Sequence, residues 1–259
     1  MIYARLKGLA YAHSPVSDVA HVPDDVSPAE WSASWEEFFN LGANELSAAD
    51  IEASGVSVKQ VRKPHRFLPR SNRLQVVAHC HKVTDRHPEA WEAIRGELKA
   101  KYLLSRKPDL TGYDDGKVQI AVHLRRGDVG ASGRFSERFT RDEVVLARIR
   151  KVLDAVGSDR VNLRLFSQGG PSEFEQFVAL GAELHLDDDV FESFHHFVQS
   201  DILFIAKSTF SYLGGVIGGQ TCICEPFWHP CLPNWLTPDD LEMPSFAKKL
   251  TGLLPHTTD

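Results

Sequence analysis

Apolar positions follow one rhythm in the second half of this chain and a looser one in the first. From Lys117 onward, short apolar runs of strand length alternate with stretches of helical period. Residues 118–124 (VQIAVHL), 161–167 (VNLRLFS), 184–186, 202–206 and 221–225 read as strands. Helices are predicted between them. One opens at a Thr140/Glu143 capping box and runs to about Val156, and a second opens at Ser172/Glu175 and ends at Gly181. Others span 190–199, 210–217 and 239–254. Such alternation predicts a parallel sheet covered on both faces. In these sheets ligands sit at the carboxyl ends of strands.

In the first half the pattern predicts the end of a helix, then a strand near 9–13. Ser27-Pro28-Ala29-Glu30 is a helix start, with Trp31, Trp35, Phe38 and Phe39 on one face and Gly42 closing it. Residues 44–73 are polar and less regular, and 73–78 is a candidate strand. A second helix is predicted over 88–104, with Trp91, Ile94, Leu98 and Tyr102 on one stripe.

Length and composition narrow the function classes. At 259 residues and 42% hydrophobic, the chain supports a substantial core. Its net charge of −6, with scattered Lys and Arg, argues against a dedicated nucleic-acid binder but leaves room for a local phosphate pocket. No apolar run approaches membrane-spanning length, and no secretion signal is visible. Four cysteines make no disulfide scaffold, so reduced thiols and a cytoplasmic location are expected.

The densest candidate chemistry is AVHLRRGDV, where a buried strand ends in His123, Arg125, Arg126 and Asp128. Two adjacent guanidinium groups repel unless an anion lies between or beside them, and their forks match phosphate. Asp128 is placed to orient one of them. The alternative is a salt-bridged strand end facing water. A second strand ends at Ala206, and Lys207, Ser208 and Thr209 begin the next helix, followed by Phe210. This is either an anion site of hydroxyls and free N–H groups or a simple N-cap.

Ser167 and the glycines of FSQGG either bring backbone near a ligand or form a plain turn. Asp187, Asp188 and Asp189 offer a hydrogen-bonding rim, a metal site or a solvated acidic turn. Cys222, Cys224, His229 and Cys231 have no standard zinc spacing and read first as core cysteines. His79-Cys80-His81 is a lone cluster, so no metal is expected.

On these residues the chain resembles a known family. HLRRGD (residues 123–128) resembles the first motif of the α-1,2-, α-1,6- and protein O-fucosyltransferase superfamily. The stretch from Phe191 through KSTFSYLGG is similar to its later motif, and the helix WSASWEEFFNLG is similar to one in the first half of bacterial members. The resemblance implies a GT-B-like α/β architecture: Rossmann-type parallel sheets with helices on both faces. Residues 1–115 would be an acceptor-side domain and 116–259 the GDP-sugar-binding domain.

It also implies a metal-independent, inverting glycosyltransferase that moves fucose or a related sugar from a GDP-sugar to a glycan. No cofactor is implied beyond the donor itself. Carried over, Arg125 binds the diphosphate, Arg126 and Asp128 support it, His123 faces the guanosine, and Ser208 and Thr209 take the β-phosphate. Two departures stand out. The chain starts after the family's opening strand and Gly/Asn loop, which implies an incomplete N-terminal domain. Ser193 stands where a guanine-reading Asp is expected, which leaves Glu192 or Asp189 as candidates in its place. No catalytic base is identifiable; Glu137 and Asp128 are the nearest carboxylates in sequence. These departures leave a second class open, a non-catalytic nucleotide-sugar or glycan-binding protein.

Overall fold

The computed structural model describes residues 1–62, 72–77, 79, 81–113 and 115–254. The chain forms two compact units, Met1–Lys107 and Pro108–Asp259. Residues just after Lys107 go with the second unit because Tyr113 donates its hydroxyl toward His196 Nδ1 (2.9 Å) and Arg164 stacks on the Tyr113 ring (4.9 Å).

The first unit comprises α1 (Ile2–Lys7), β1 (Ala12–His13), α2 (Pro28–Phe39), β2 (Leu46–Ser47), α3 (Ala48–Ala53), β3 (Val58–Gln60), β4 (Leu74–Val76), α4 (His81–Thr84) and α5 (Glu92–Leu104). β1 pairs with β2, and β3 with β4, both in parallel. α2 opens as its sequence predicts: the Ser27 hydroxyl accepts the Glu30 N–H, and the Glu30 carboxylate accepts the Ser27 N–H. It closes earlier than expected, at Asn40, which takes a left-handed conformation (φ 53°) and donates back to the Glu36 carbonyl. Gly42 instead lets the chain pass the His13 ring, where a Cβ would approach to 2.7 Å.

The aromatic stripe of α2 packs as read: Trp35 stacks on Phe39, and Phe38 meets Tyr102 of α5 edge-on. The predicted helix at 88–104 begins as a 3-10 turn (Pro88–Trp91) before continuing as α5. Within the strand expected at 73–78, Ala78 lies outside the described residues, as does Cys80 of the His79-Cys80-His81 cluster.

The second unit carries β5 (Val118–His123), α6 (Asp142–Val156), β6 (Val161–Ser167), α7 (Glu175–Val178), β7 (Ala182–Leu186), α8 (Val190–Gln199), β8 (Ile202–Ile205), α9 (Thr209–Gly218), β9 (Thr221–Cys224), α10 (Pro238–Leu241) and α11 (Phe246–Leu253). All five strands pair in parallel in the order β7-β6-β5-β8-β9. Counted within the unit, this is the doubly wound order 3-2-1-4-5, which reverses direction between β5 and β8.

Strand periodicity assigns the faces. Val118, Ile120 and Val122 share one buried cluster with Leu146, Ile149 and Val152 of α6 and Leu250 of α11. The alternate positions face α8 and α9, where His123 lies against Phe197 (5.2 Å between rings). Burying that α6-side cluster stabilises this unit by about 25 cal/mol per Å² of apolar surface.

Three local expectations are corrected. Thr140 does not cap α6; Arg141 holds that position without a side-chain bond. Ser172 does not open the turn before α7; Gly170 donates its N–H to Glu173 (2.7 Å), and Pro171 begins a 3-10 turn there. The single helix expected over 239–254 is two, α10 and α11.

The cysteine expectation also changes. Cys224 and Cys231 are joined by a disulfide with Cα atoms 5.8 Å apart, while Cys222 remains a buried thiol in β9. The expectation of reduced thiols is thereby corrected for Cys224 and Cys231. Among the described residues, no helix is long and apolar enough to cross a membrane.

Candidate functional site

In a doubly wound sheet the strands on either side of the order reversal send their following loops to opposite faces, which opens a crevice at their carboxyl ends. Here that crevice lies beyond β5 and β8, the two strands that carry the Arg and Ser/Thr motifs. Its wall is formed by Arg125, Arg126, Arg138, Arg148 and Lys207, with Glu225 as the one acidic residue among them. The cavity is small, about 30 Å³, and its cationic side chains are mostly buried.

Arg125 joins both sides of this crevice. Its Nε and Nη2 donate to the two oxygens of Asp128 (3.1 and 2.7 Å), a forked ion pair. Its Nη1 donates across the crevice to the Ser208 hydroxyl (3.2 Å). Ser208 is fully buried and caps α9, since its oxygen also accepts the Phe210 N–H (3.3 Å). The two sequence motifs therefore meet at one hydroxyl. The turn between Arg125 and Asp128 favours Gly127, whose φ is 75°.

Arg126 points to the α6 side. It donates to the Thr140 and Arg125 carbonyls (3.0 Å each), pairs with Asp142, and lies over the Phe139 ring at 4.3 Å. Its guanidinium thus fixes the loop entering α6. Asp142, which the sequence reading did not single out, is its counter-ion.

His123 sits under the crevice between Phe197 and Phe210. The Ser211 hydroxyl accepts the Ala206 N–H (3.2 Å) and lies 2.8 Å from His123 Nδ1. The Ser211 hydroxyl thus holds the ring by its Nδ1 edge. Burial, reinforced by Arg125 and Arg126, holds the imidazole pKa down to about 3, so the ring is neutral at physiological pH. Ser211 is a second member the sequence reading missed; its signal was the third residue of a helix starting beneath a strand-end His.

The remaining residues divide. Thr209 is exposed at the start of α9, with its hydroxyl 3.2 Å from His229 Nε2. Phe210 packs edge-on or tilted against His123, Phe194 and Phe197. Ser167 donates to the Leu124 carbonyl (2.9 Å), tying the ends of β6 and β5 together.

The acidic run at the end of β7 is spent residue by residue. Asp187 accepts the Gly169 N–H (3.2 Å), Asp188 pairs with His185 (2.8 Å), and Asp189 caps α8 through the Phe191 and Glu192 N–H groups. Glu192 reaches to 4.0 Å from His196. Glu137 lies 3.8 Å from Arg138, whose guanidinium packs over the Phe135 and Trp228 rings. Ser193, at the position expected to read guanine, continues α8 with its N–H bonded to the Asp189 carbonyl. Among the described residues no group of three His, Cys, Asp or Glu is placed to hold a metal ion.

The fold and the crevice define an α/β chain whose second unit has a doubly wound parallel sheet. No protein-family model matches this chain, and no curated protein sequence does. Among solved structures it is similar to POFUT1 in complex with GDP-fucose, at 16% identity and TM-score 0.31, over 51% of this chain and 46% of that one. It is similar to the POFUT1 apo-form at 15% identity and the same TM-score, over 51% of this chain and 47% of that one. This chain thus spans less than half the length of those two chains. A similarity of this level says nothing of chemistry, which the crevice's own residues have to supply.

Proposed function

We propose that the β5–β8 crevice binds the diphosphate of a GDP-sugar, and that the chain is a glycosyltransferase moving fucose or a related sugar to a glycan with inversion. The observation that carries this is Arg125: a guanidinium clamped by Asp128 and aimed at the hydroxyl that starts α9, at the sheet's switch point. In such a transfer negative charge grows on the departing diphosphate. A fixed cation and a helix start aimed there lower the barrier without reorganising. The cations supply this potential without a metal ion. The motif resemblance suggests the GDP-sugar, and the Arg125–Ser208 geometry supports an anion site.

A second reading, a binder of nucleotide sugars without turnover, is favoured by one feature. The carboxylates nearest the crevice are engaged: Asp128 with Arg125, Asp142 with Arg126, and Glu225 with Lys207 and Arg148. None of the three is set apart to take a proton from an acceptor hydroxyl.

Calorimetric titration with GDP, beside a turnover assay with GDP-fucose and EDTA, tests both readings. Binding with metal-independent turnover supports the enzyme. Binding without turnover supports the second reading. Absence of GDP binding overturns both.

A further inference from the structure

Glu225 lies just past the end of β9, next to the Cys224–Cys231 disulfide. Its two carboxylate oxygens each take one cation from the crevice wall: Oε1 lies 2.9 Å from Lys207 Nζ, and Oε2 lies 3.0 Å from Arg148 Nη2. The three groups come from three elements, the β8–α9 turn, α6 and the end of β9. Each remains partly open, with 19% of the Lys207 and Arg148 side chains and 29% of Glu225 exposed.

A bridging carboxylate in this geometry presents the same pair of acceptor oxygens as one edge of a phosphate group. The two cations also hold the Glu225 carboxyl below the usual range despite its partial burial, so it is charged in the ligand-free chain.

We propose that Lys207 and Arg148 form a second phosphate position in the crevice, and that Glu225 is its internal occupant, displaced when the second phosphate of a nucleoside diphosphate binds. This deepens the anion-site reading and rests on it. Arg125 would hold one phosphate while Lys207 and Arg148, on the α6 side of the same crevice, take the other. Glu225 then sets the site's selectivity: a monoanion does not compete well with a carboxylate already in place, whereas a diphosphate anchored at Arg125 does.

Inorganic pyrophosphate is the probe, because it needs neither guanine nor sugar. Glu225→Gln keeps the side-chain shape and removes the competing charge. It should bind pyrophosphate roughly tenfold more tightly than wild type, about the weight of two partly exposed ion pairs. Adding Lys207→Met should abolish the gain. Lys207→Met alone, which retains the Arg148–Glu225 pair, should weaken pyrophosphate binding at least twofold.

Unchanged or weaker pyrophosphate binding in Glu225→Gln, or no effect of Lys207→Met, overturns the proposal. GDP binding that still depends on Arg125 would in that case leave the anion-site reading standing. GDP binding indifferent to Arg125 would fail that reading instead.

Discussion

The carboxyl ends of β5 and β7 are both rich in charge, and they differ in how that charge is used. At β7 each of Asp187, Asp188 and Asp189 meets a partner close to its own turn: a neighbouring loop N–H, a histidine of the same strand, and the first turn of α8. At β5 the local pair of Arg125 with Asp128 is joined by partners from other elements of the sheet's crevice side. Arg125 reaches Ser208, Arg126 reaches Asp142, and His123 meets Ser211. β7 is an edge strand, whereas β5 flanks the switch point. Charge at an edge is absorbed by local turns. Charge at the switch point faces groups from several elements and converges on a crevice.

The sharpest way to break this contrast is Arg125→Ala. A charge-assisted contact to phosphate is worth about 1.5–3 kcal/mol, so GDP affinity should fall at least about tenfold. Arg125→Lys should recover only part of it, because an ammonium cannot make the fork. Equal calorimetric affinities for wild type and Arg125→Ala would erase the distinction between the two strand ends.

The opposite change at β7 should touch stability alone. Removing the α8 cap with Asp189→Ala should cost about 1 kcal/mol in denaturant unfolding. GDP affinity should stay within about twofold of wild type. A large loss of GDP binding in this variant would instead place the acidic rim in the site.

Ser208→Ala sharpens the β5 side. Its loss in GDP binding should be on the order of 1 kcal/mol. Combined with Arg125→Ala, the change should be non-additive by roughly 0.5 kcal/mol or more, because the two side chains touch. Strict additivity would reduce Ser208 to a helix cap.

Acid should probe the buried histidines on the α8 side of the sheet. Burial first, and nearby positive charge second, holds His123 and His196 down to about 3. In the unfolded chain they titrate near about 6.5. Between those values the unfolded chain binds protons that the folded chain does not. Their contribution to stability is therefore complete above about pH 6.5 and is lost as pH falls toward about 3. The melting temperature should drop between pH 7.5 and pH 5, and by less in His196→Gln. Equal pH dependence in the two would remove His196 from this account.

The sheet and the forked pair at β5 were legible because both are local. The apolar runs mark β5, β6, β8 and β9 nearly to the residue, and Asp128 stands three residues beyond Arg125, within reach of a strand-end guanidinium. The rest depends on distance in sequence. Asp142 on Arg126, Ser211 on His123 and Glu225 between Lys207 and Arg148 meet only once the sheet is assembled. The Cys224–Cys231 bond was missed because the cysteines were weighed as metal ligands and core residues, not as a pair closing one short loop. Capping residues misled where a strong partner lay nearby: Thr140 yields to the turn that Arg126 grips through its carbonyl.

The most direct test of the central claim is a structure of the chain with GDP bound. The diphosphate should lie at the β5–β8 crevice, within hydrogen-bond distance of the Arg125 guanidinium and the first turn of α9. A diphosphate seated elsewhere, or at this crevice without contact to Arg125, would contradict the account.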